Sequence, residues 1–375
     1  MKKLIVLFSL LATGILAQTG PWQSPLLIRT STNGTSFGAS TLFQDSSGVP
    51  TVIRLGSPTS DTLLAAFQWF PAPKFSTYWD KIAVKFSYDG GINWTAPKSC
   101  TFTGMPVGYQ RPFDPSLVQL SGGQIRMYCS DGLNSPPAGG IDSYSFLSND
   151  GITYTMEPSA RFDDVVNNAI DPSVINFGGT YFYNSWTGNQ TDGAFRATSN
   201  NGTTFTTQTT YTFDGSHLWL GNYMVDGSTL KFYGSGTPGN VWFNSSTNGI
   251  TWSGYVSTNV GSAADPAVVK NKSGTYVMVY TGPPAVLGIN ESGKNDADVR
   301  LFPNVFCHHF NVVNESGENL KIEIYDVCGK MVYSSVYEKN IKDFKINMSH
   351  LASGTYNCVI TGEKLIVRRK LIKTE

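Results

Sequence analysis

The sequence is short of charge. Only 14% of its 375 residues are charged, and 27 basic side chains are balanced by 27 acidic ones. Without a surplus of Lys and Arg there is little to neutralise a phosphate backbone or an anionic lipid surface, which argues against nucleic-acid binding and polybasic membrane attachment. Histidine is scarce: of four in the chain, only His217 precedes residue 300. A His-based metal centre or a Ser-His-Asp triad therefore has little material. The five cysteines include no CxxC pair, so a zinc knuckle is not expected, and their odd number leaves at least one unpaired within a monomer. Past the N-terminus no apolar run is long enough to span a bilayer.

What the sequence has in quantity is glycine, with 38 residues, and aromatics, at 13%. With recurrent Ser, Thr and Asn, this is the composition of short aromatic strands punctuated by turns. The first residues, MKKLIVLFSLLATGILAQTG, place Lys2 and Lys3 before an apolar stretch from Leu4 to Leu16, with small residues after it. This reads as a secretory signal peptide over 1–17, cleaved after Ala17, because the apolar stretch is too short to remain as a membrane span. Export makes disulfides permissible.

Two phrases repeat. The first is STNGTSF at 31–37, SYDGGINW at 87–94, SNDGITY at 148–154, SNNGTTF at 199–205 and STNGITW at 246–252. Each has Ser, Asp or Asn two residues on, Gly, then an aromatic. The copies start 47 to 61 residues apart, a spacing that signals a β-rich repeat architecture. The second phrase reads DPSLVQLSGGQIRMYCSDG from 114, DPSVINFGGTYFYNSWTG from 171 and DPAVVKNKSGTYVMVYTG from 265, with degenerate copies from Val49 and near Gly221. Each predicts a strand, a Gly-containing turn and an aromatic strand. A third strand, the Ser-Asx-Gly turn and a short fourth strand follow. Four antiparallel strands per repeat make a propeller blade. Four units are complete. The fifth, from Asp265, has its first two strands only, and the outer part is supplied by the N-terminal stretch from Pro25. The expected fold is all-β: a five-bladed β-propeller over 22–284, closed by its N-terminal strands. A six-bladed ring is the alternative, with the extra blade in 95–113. Residues 285–300 are Pro-, Gly- and charge-rich and read as a linker. Residues 301–375 read as a small β-sandwich domain.

The tail phrases FPN at 302–304, IYDVCGKMV at 324–332, INMSHLASGTYNCVI at 346–360 and KLIK at 370–373 resemble the type A C-terminal sorting domain of the Bacteroidetes type IX secretion system. Val305 stands where that family usually has Pro. The resemblance implies a secreted or surface-attached protein that engages the type IX machinery. The Ser-Asx-Gly-aromatic phrases resemble Asp-box, or BNR, repeats of sialidases and other propellers. The Asx positions Asn33, Asp89, Asp150, Asn201 and Asn248 are expected to be structural. A turn accepts either residue, whereas a proton-transfer role would not survive an amide. The sialidase Phe-Arg-Ile-Pro phrase is absent, and of Arg54, Arg111 and Arg196 only Arg111 lies beside an inner-strand start, so an arginine clamp on a substrate carboxylate is not expected.

Chemistry is expected where inner strands begin, because there several blades converge on a concave opening. Asp114, Asp171 and Asp265 are the candidate catalytic carboxylates, since paired carboxylic acids suit glycoside hydrolysis. Tyr109, Arg111, His217, Trp219 and Trp69 are the candidate substrate-binding residues. Trp69 belongs to FQWFPAPKFSTYW, whose aromatics suit stacking on sugar rings. The layout resembles five-bladed glycoside hydrolases of the arabinanase, β-xylosidase and fructosidase type. Those families use a Glu as general acid, and the propeller region and linker here hold only Glu157 and Glu291. The implied partner is an extracellular glycan, cleaved or, in a non-catalytic alternative, only bound. No cofactor is expected, although channel carboxylates and carbonyls also suit a calcium ion.

Overall fold

The computed structural model describes residues 24–57, 59–71, 76–133, 140–187, 193–236, 239–283, 299–303, 305–326, 330–362 and 366–374. The stretch read as a signal peptide, Phe75, Cys328 and most of the stretch read as a linker lie outside them. The chain divides into two compact units, Met1–Pro284 and Ala285–Glu375.

Unit one is a β-propeller. Its described residues form five small sheets, four built mainly from strands consecutive in the chain and one from both ends of the unit, all antiparallel apart from one parallel edge strand. The innermost strands are Ser47–Arg54, Phe113–Gln119, Ile170–Phe177, Gly221–Asp226 and Ala264–Lys270. They are neighbours in that order, and the last returns to the first, so the sheets close into a ring. The closing sheet combines both ends of the unit. Leu26–Ser31 pairs antiparallel with Tyr276–Thr281 through six residues, from Leu26 opposite Thr281 to Ser31 opposite Tyr276. The N-terminal strands thus supply the outer part of the incomplete repeat, as the repeat pattern requires. The 95–113 segment forms no separate sheet. Lys98–Ser99 joins the outer edge of the preceding sheet, and Thr101–Thr103 adds a parallel edge strand to the next.

Neighbouring sheets pack through apolar side chains, for example Leu64, Val84, Met127 and Phe146 between the second-repeat sheet and its predecessor. The Ser-Asx-Gly turns lock the edges of this packing. In all five, the Ser Oγ accepts the Gly amide N–H at 2.8–2.9 Å. The Asx Oδ1 accepts two later amide N–H groups at 2.7–3.1 Å. Asn and Asp make the same bonds, so the turn needs an acceptor oxygen and no charge. Four of the turns also hand a glycine carbonyl to the adjacent sheet, accepting from Tyr233 Oη, Asn271 Nδ2, Tyr128 Oη and Arg196 Nη2.

Unit two is a sandwich of a three-stranded and a five-stranded sheet around a core that includes Phe310, Ile322, Ile346, Ile360 and Leu371. Cys100, Cys129, Cys307 and Cys358 are free thiols.

The turn glycines sit in the left-handed region against neighbouring side chains. Gly249 has φ of 72°, and a Cβ there would fall 2.1 Å from the Phe182 ring. Gly178 has φ of 61° but nothing within 4 Å of its Cβ position. Gly178→Ala is expected to cost about 1 kcal/mol, from backbone strain alone. Gly249→Ala is expected to cost about 2–4 kcal/mol, because overpacking adds to the strain. Urea unfolding of the two variants checks the difference; equal losses would show that the turn glycine does not dock tightly on its neighbour.

Candidate active site at the inner-strand starts

Four of the five inner strands begin with a residue followed by Pro, and in all four the ladder register shifts at that point. The shifts fall between Gly48 and Thr51, Phe113 and Ser116, Ile170 and Ser173, and Ala264 and Ala267. The Pro cannot donate to the ladder and is accommodated in the bulge. The residue before it adopts a left-handed backbone: φ is 49° at Val49, 53° at Asp114, 52° at Asp171 and 48° at Asp265. For Val, a β-branched residue, this is a strained conformation. In three of the four, the hydroxyl after the Pro ties the strand to its neighbour; Ala267 stands there in the fourth. Thr51 Oγ1 accepts from Leu117 N, Ser116 Oγ from Val174 N and Ser173 Oγ from Tyr223 N, each across to the next inner strand. In the repeat from Gly221 the X-Pro pair is replaced by Leu220 and Gly221, and Asn222 stands where three other inner strands carry Thr51, Ser116 and Ser173. Asn222 Nδ2 donates to the Pro50 carbonyl at 3.0 Å, joining two inner strands that are not neighbours in the ring. It therefore reaches across the axis. Nothing in the repeat phrases marks Asn222; only its standing in place of a Ser or Thr hydroxyl sets it apart.

The bulges bring the three candidate aspartates together at one end of the axis. Asp114 is buried at 7% exposure, and its Oδ2 accepts from Ser130 Oγ at 3.0 Å and from Asp171 N at 3.4 Å. Asp265 accepts from Thr281 Oγ1 at 3.4 Å. No described side chain donates to the Asp171 carboxylate. None of the three is capped by its own turn. Burial pushes Asp114 up to about 6; Ser130 and the Asp171 amide oppose this, and the Asp265 charge adds to it. Burial likewise lifts Asp265 to about 6, against the Thr281 hydrogen bond. Asp171 is raised furthest, by burial and then by Asp114 and Asp265. The three carboxyls thus feel one another's charge. Among the described residues no three His, Cys, Asp or Glu side chains form a metal-binding group.

Beside them, Arg111 lies between two sheets. It ion-pairs with Asp80, donates from Nε to the Asp80 carbonyl at 2.7 Å, and lines a cavity of about 320 Å³ with Tyr109. Tyr109 also hydrogen-bonds Tyr144 at 3.0 Å. Two other expected binding residues are placed differently. Trp219 is only 3% exposed and stacks on Tyr211 at 3.6 Å within a cluster that includes Trp242 and Phe232, so it fills the space between sheets and presents no face to a ligand. Trp69 is half-buried against the core between the closing sheet and its neighbour. His217 is held by both Asp214 oxygens at 2.8–2.9 Å and stacks on Tyr255 at 3.7 Å. Arg111, Arg54 and Arg196 do not converge. Arg54 lines a separate axial cavity of about 480 Å³ at the far ends of the inner strands, and Arg196 sits over the Tyr211 ring. Glu157 is tied to Arg126 through two hydrogen bonds of 2.7 and 2.9 Å and to Ser145 at 2.6 Å. Burial would raise it, but Arg126, Ser145 and Arg161 together hold it low. It is the anion of a structural ion network, not a proton donor.

Residues 300–374 match the secretion system C-terminal sorting domain family. That tail marks proteins exported by the type IX route, and the chain is a cell-surface or extracellular protein. No curated protein matches the chain in sequence. Among solved structures it is similar to a Bombyx mori GH32 β-fructofuranosidase, at 9% identity over 94% of this chain and 89% of that one with a TM-score of 0.48. It is also similar to an exo-β-1,3-galactanase from Phanerochaete chrysosporium, at 11% identity over 92% and 100% of the two chains with a TM-score of 0.47. A third is a GH43 α-L-arabinofuranosidase from Clostridium thermocellum, at 12% identity over 80% and 95% with a TM-score of 0.46. Likeness at this distance does not carry those proteins' substrates to this chain.

A carboxyl whose folded-state pKa lies above its unfolded value binds its proton more tightly in the fold. Stability then falls as pH rises from about 4 through about 6, and the full cost stands above that range. Asp114→Asn is therefore expected to leave stability unchanged near pH 4 and to raise it at pH 7 by up to about 3 kcal/mol, the equivalent of roughly two pKa units. Urea unfolding at both pH values measures this. A variant less stable than wild type at pH 7 would mean the carboxylate is compensated by partners and is not held at a cost.

Proposed function

We propose that the propeller is an extracellular glycoside hydrolase whose acid and base are drawn from Asp114, Asp171 and Asp265. One observation carries the reading. Val49 adopts the same left-handed backbone, in the same bulge, as the three aspartates. The fold therefore does not require a carboxyl at this position, yet it keeps three there, Asp114 buried and Asp171 and Asp265 half-buried, all raised in pKa. Buried acids without matching cations cost stability, and active sites are where such a cost is retained.

The roles follow from the surroundings. Asp171 faces both other carboxyls and receives no side-chain donor, so it keeps its proton and suits the general acid that protonates the leaving oxygen. Asp114, ionised above about pH 6 and oriented by Ser130, suits the base that activates water or the nucleophile that attacks the sugar. Asp265 polarises the pair. Tyr109 and Arg111 line a cavity between two sheets, reached just before the Asp114 strand, where a ring face and a guanidinium can take sugar hydroxyls. The lack of a glutamate at these strand starts favours a second reading, a propeller that binds glycans without cleaving them.

Aryl glycosides and plant or microbial polysaccharides, offered to the purified protein, separate the two. Turnover is expected, with an acid limb that falls below about pH 6 as the base protonates. Asp171→Asn and Asp114→Asn should each lower kcat by roughly a hundredfold or more. Turnover undiminished in both variants would remove these residues from the chemistry. Binding without turnover in the wild-type protein would favour the second reading.

A further inference from the structure

Opposite the start of each X-Pro bulge, the second strand of the sheet carries one repeated position. It holds Gln68 opposite Gly48, Ser130 opposite Phe113, Trp186 opposite Ile170 and Thr281 opposite Ala264. Three of these side chains donate to a carboxylate. Ser130 Oγ donates to Asp114 at 3.0 Å, Thr281 Oγ1 donates to Asp265 at 3.4 Å, and Gln68 Nε2 donates to Asp80. For Ser130 and Thr281 the acceptor is the aspartate of the same repeat.

Trp186 breaks the pattern. An indole has a single donor, Nε1–H, on a large apolar ring. In Trp186 that nitrogen is buried without a hydrogen-bond partner, so it does not serve Asp171. The position that gives a hydroxyl to Asp114 and to Asp265 gives none to Asp171.

The charges around Asp171 do not replace the missing donor. The strands packed against Ile170–Phe177 are Phe113–Gln119, Ile125–Gly132, Ile141–Ser148, Thr180–Trp186 and Gly221–Asp226. Of their acids Asp114 acts on Asp171, and Asp265 acts on it from a further inner strand, both opposing ionisation. Asp131 follows Ser130 and so lies on the other face of its strand, where Arg111 acts on it. Asp142 is opposed by Asp163 and Asp164. Arg126 is tied to Glu157, and Asp226 to Lys231 and Lys270. No basic side chain among the described residues acts on Asp171.

We infer that Trp186 is a positioning residue that makes Asp171 the proton donor: standing where Ser130 and Thr281 stand in their repeats, the indole withholds from Asp171 the hydrogen bond that favours the charged form of the other two aspartates. A donor to a carboxylate stabilises the anion, so its absence keeps the proton on. One side chain thus separates carboxyls that the repeat would otherwise make equivalent, and acid and base roles need such a difference. The catalytic meaning rests on the hydrolase reading above, but the withheld bond is a property of the fold and can be read without turnover.

NMR titration of the purified protein, isotope-labelled at the aspartate carboxyl carbons, tests this, with Asp171→Asn and Asp114→Asn assigning the two signals. Trp186→Ser restores the hydroxyl and is expected to lower the Asp171 midpoint by about one pH unit, a roughly tenfold change in proton affinity. Trp186→Phe, aromatic but without a donor, should leave that midpoint in place. Where the wild-type protein turns over an aryl glycoside, the alkaline limb of kcat/KM should move down with Trp186→Ser and stay with Trp186→Phe. Ser130→Ala makes the converse change and should raise the Asp114 midpoint by about one unit, an independent reading if Trp186→Ser does not fold. An Asp171 midpoint unchanged in folded Trp186→Ser, an equal shift in Trp186→Phe, or an Asp114 midpoint unmoved by Ser130→Ala would overturn the inference. The expected shifts in a protein that cleaves no glycoside would count against the hydrolase reading and support the role of Trp186 in setting Asp171 apart.

Discussion

Everything in the propeller depends on closing the ring. A row of sheets packed face to face leaves two exposed faces and unpaired edges unless the last sheet meets the first. Here the meeting is made within one sheet. Leu26–Ser31 pairs with Tyr276–Thr281, the Gly282 amide donates to the Pro25 carbonyl at 2.8 Å, and the Ser47 amide donates to the Ser24 carbonyl at 2.9 Å. The two ends of the unit are thereby tied to each other and to the first inner strand. Only in the closed ring do the inner-strand starts face a common axis, so any site built from Asp114, Asp171 and Asp265 exists only after the most distant segments of the unit have met. Such long-range pairing carries a large loop-closure cost and predicts slow folding relative to helical proteins of similar size.

Closure alone would not fix where side chains point at the axis. The X-Pro bulge does that. A residue forced into the left-handed region by the register shift aims its side chain differently from a residue in the regular ladder, and the hydroxyl after the Pro then ties the strand to its neighbour. The three residues of the phrase thus have separate tasks. Pro ends the ladder, Ser or Thr joins adjacent strands in three of the four copies, and the residue before Pro is left free to vary. Val49, Asp114, Asp171 and Asp265 are the variation. Asn222, in the one repeat without the phrase, instead spans to Pro50 and joins opposite sides of the ring. It also lines the axial cavity below, whereas the aspartates do not.

The architecture was legible because repeats report it several times over. Five Ser-Asx-Gly turns and the recurring Asp-Pro strands place every inner strand, and the missing half-repeat after Asp265 pointed to closure by the N-terminus. The aspartates were legible for the same reason, as members of a phrase whose position in the ring is fixed by topology. The surrounding residues were not. Trp219 is two residues from an inner-strand start and on that ground could line the opening, but a large aromatic between two sheets gains more by stacking on Tyr211 and packing on Phe232 than by facing water. Asn222 acquires its role only because the ring brings Pro50 opposite to it. Sequence periodicity reports which face a residue shares; it does not report what the opposite wall contributes.

The two families of aspartate show how far environment alone can separate identical side chains. Asp89, in an exposed turn, is surrounded by amide and hydroxyl donors that favour its charged form, and it titrates near 2. Asp114, buried at the strand start with fewer donors and with other acids nearby, titrates near 6. The first behaves as a fixed acceptor, which is why Asn can stand at this position in three of the five turns and still accept the Ser hydroxyl and two amide N–H groups. The second can exchange a proton near neutral pH, and an amide there would keep the shape while losing that capacity. In the turns every donor to the carboxylate comes from the turn itself, so the repeat needs only local sequence to satisfy it. At the strand starts the nearest donors and acids lie on other strands, as when Asp114 accepts from the Asp171 amide, so the carboxyls are coupled through the ring. A structural residue can be copied from repeat to repeat because its partners travel with it. A chemical group assembled across repeats cannot, and its properties arise only when the copies are brought face to face.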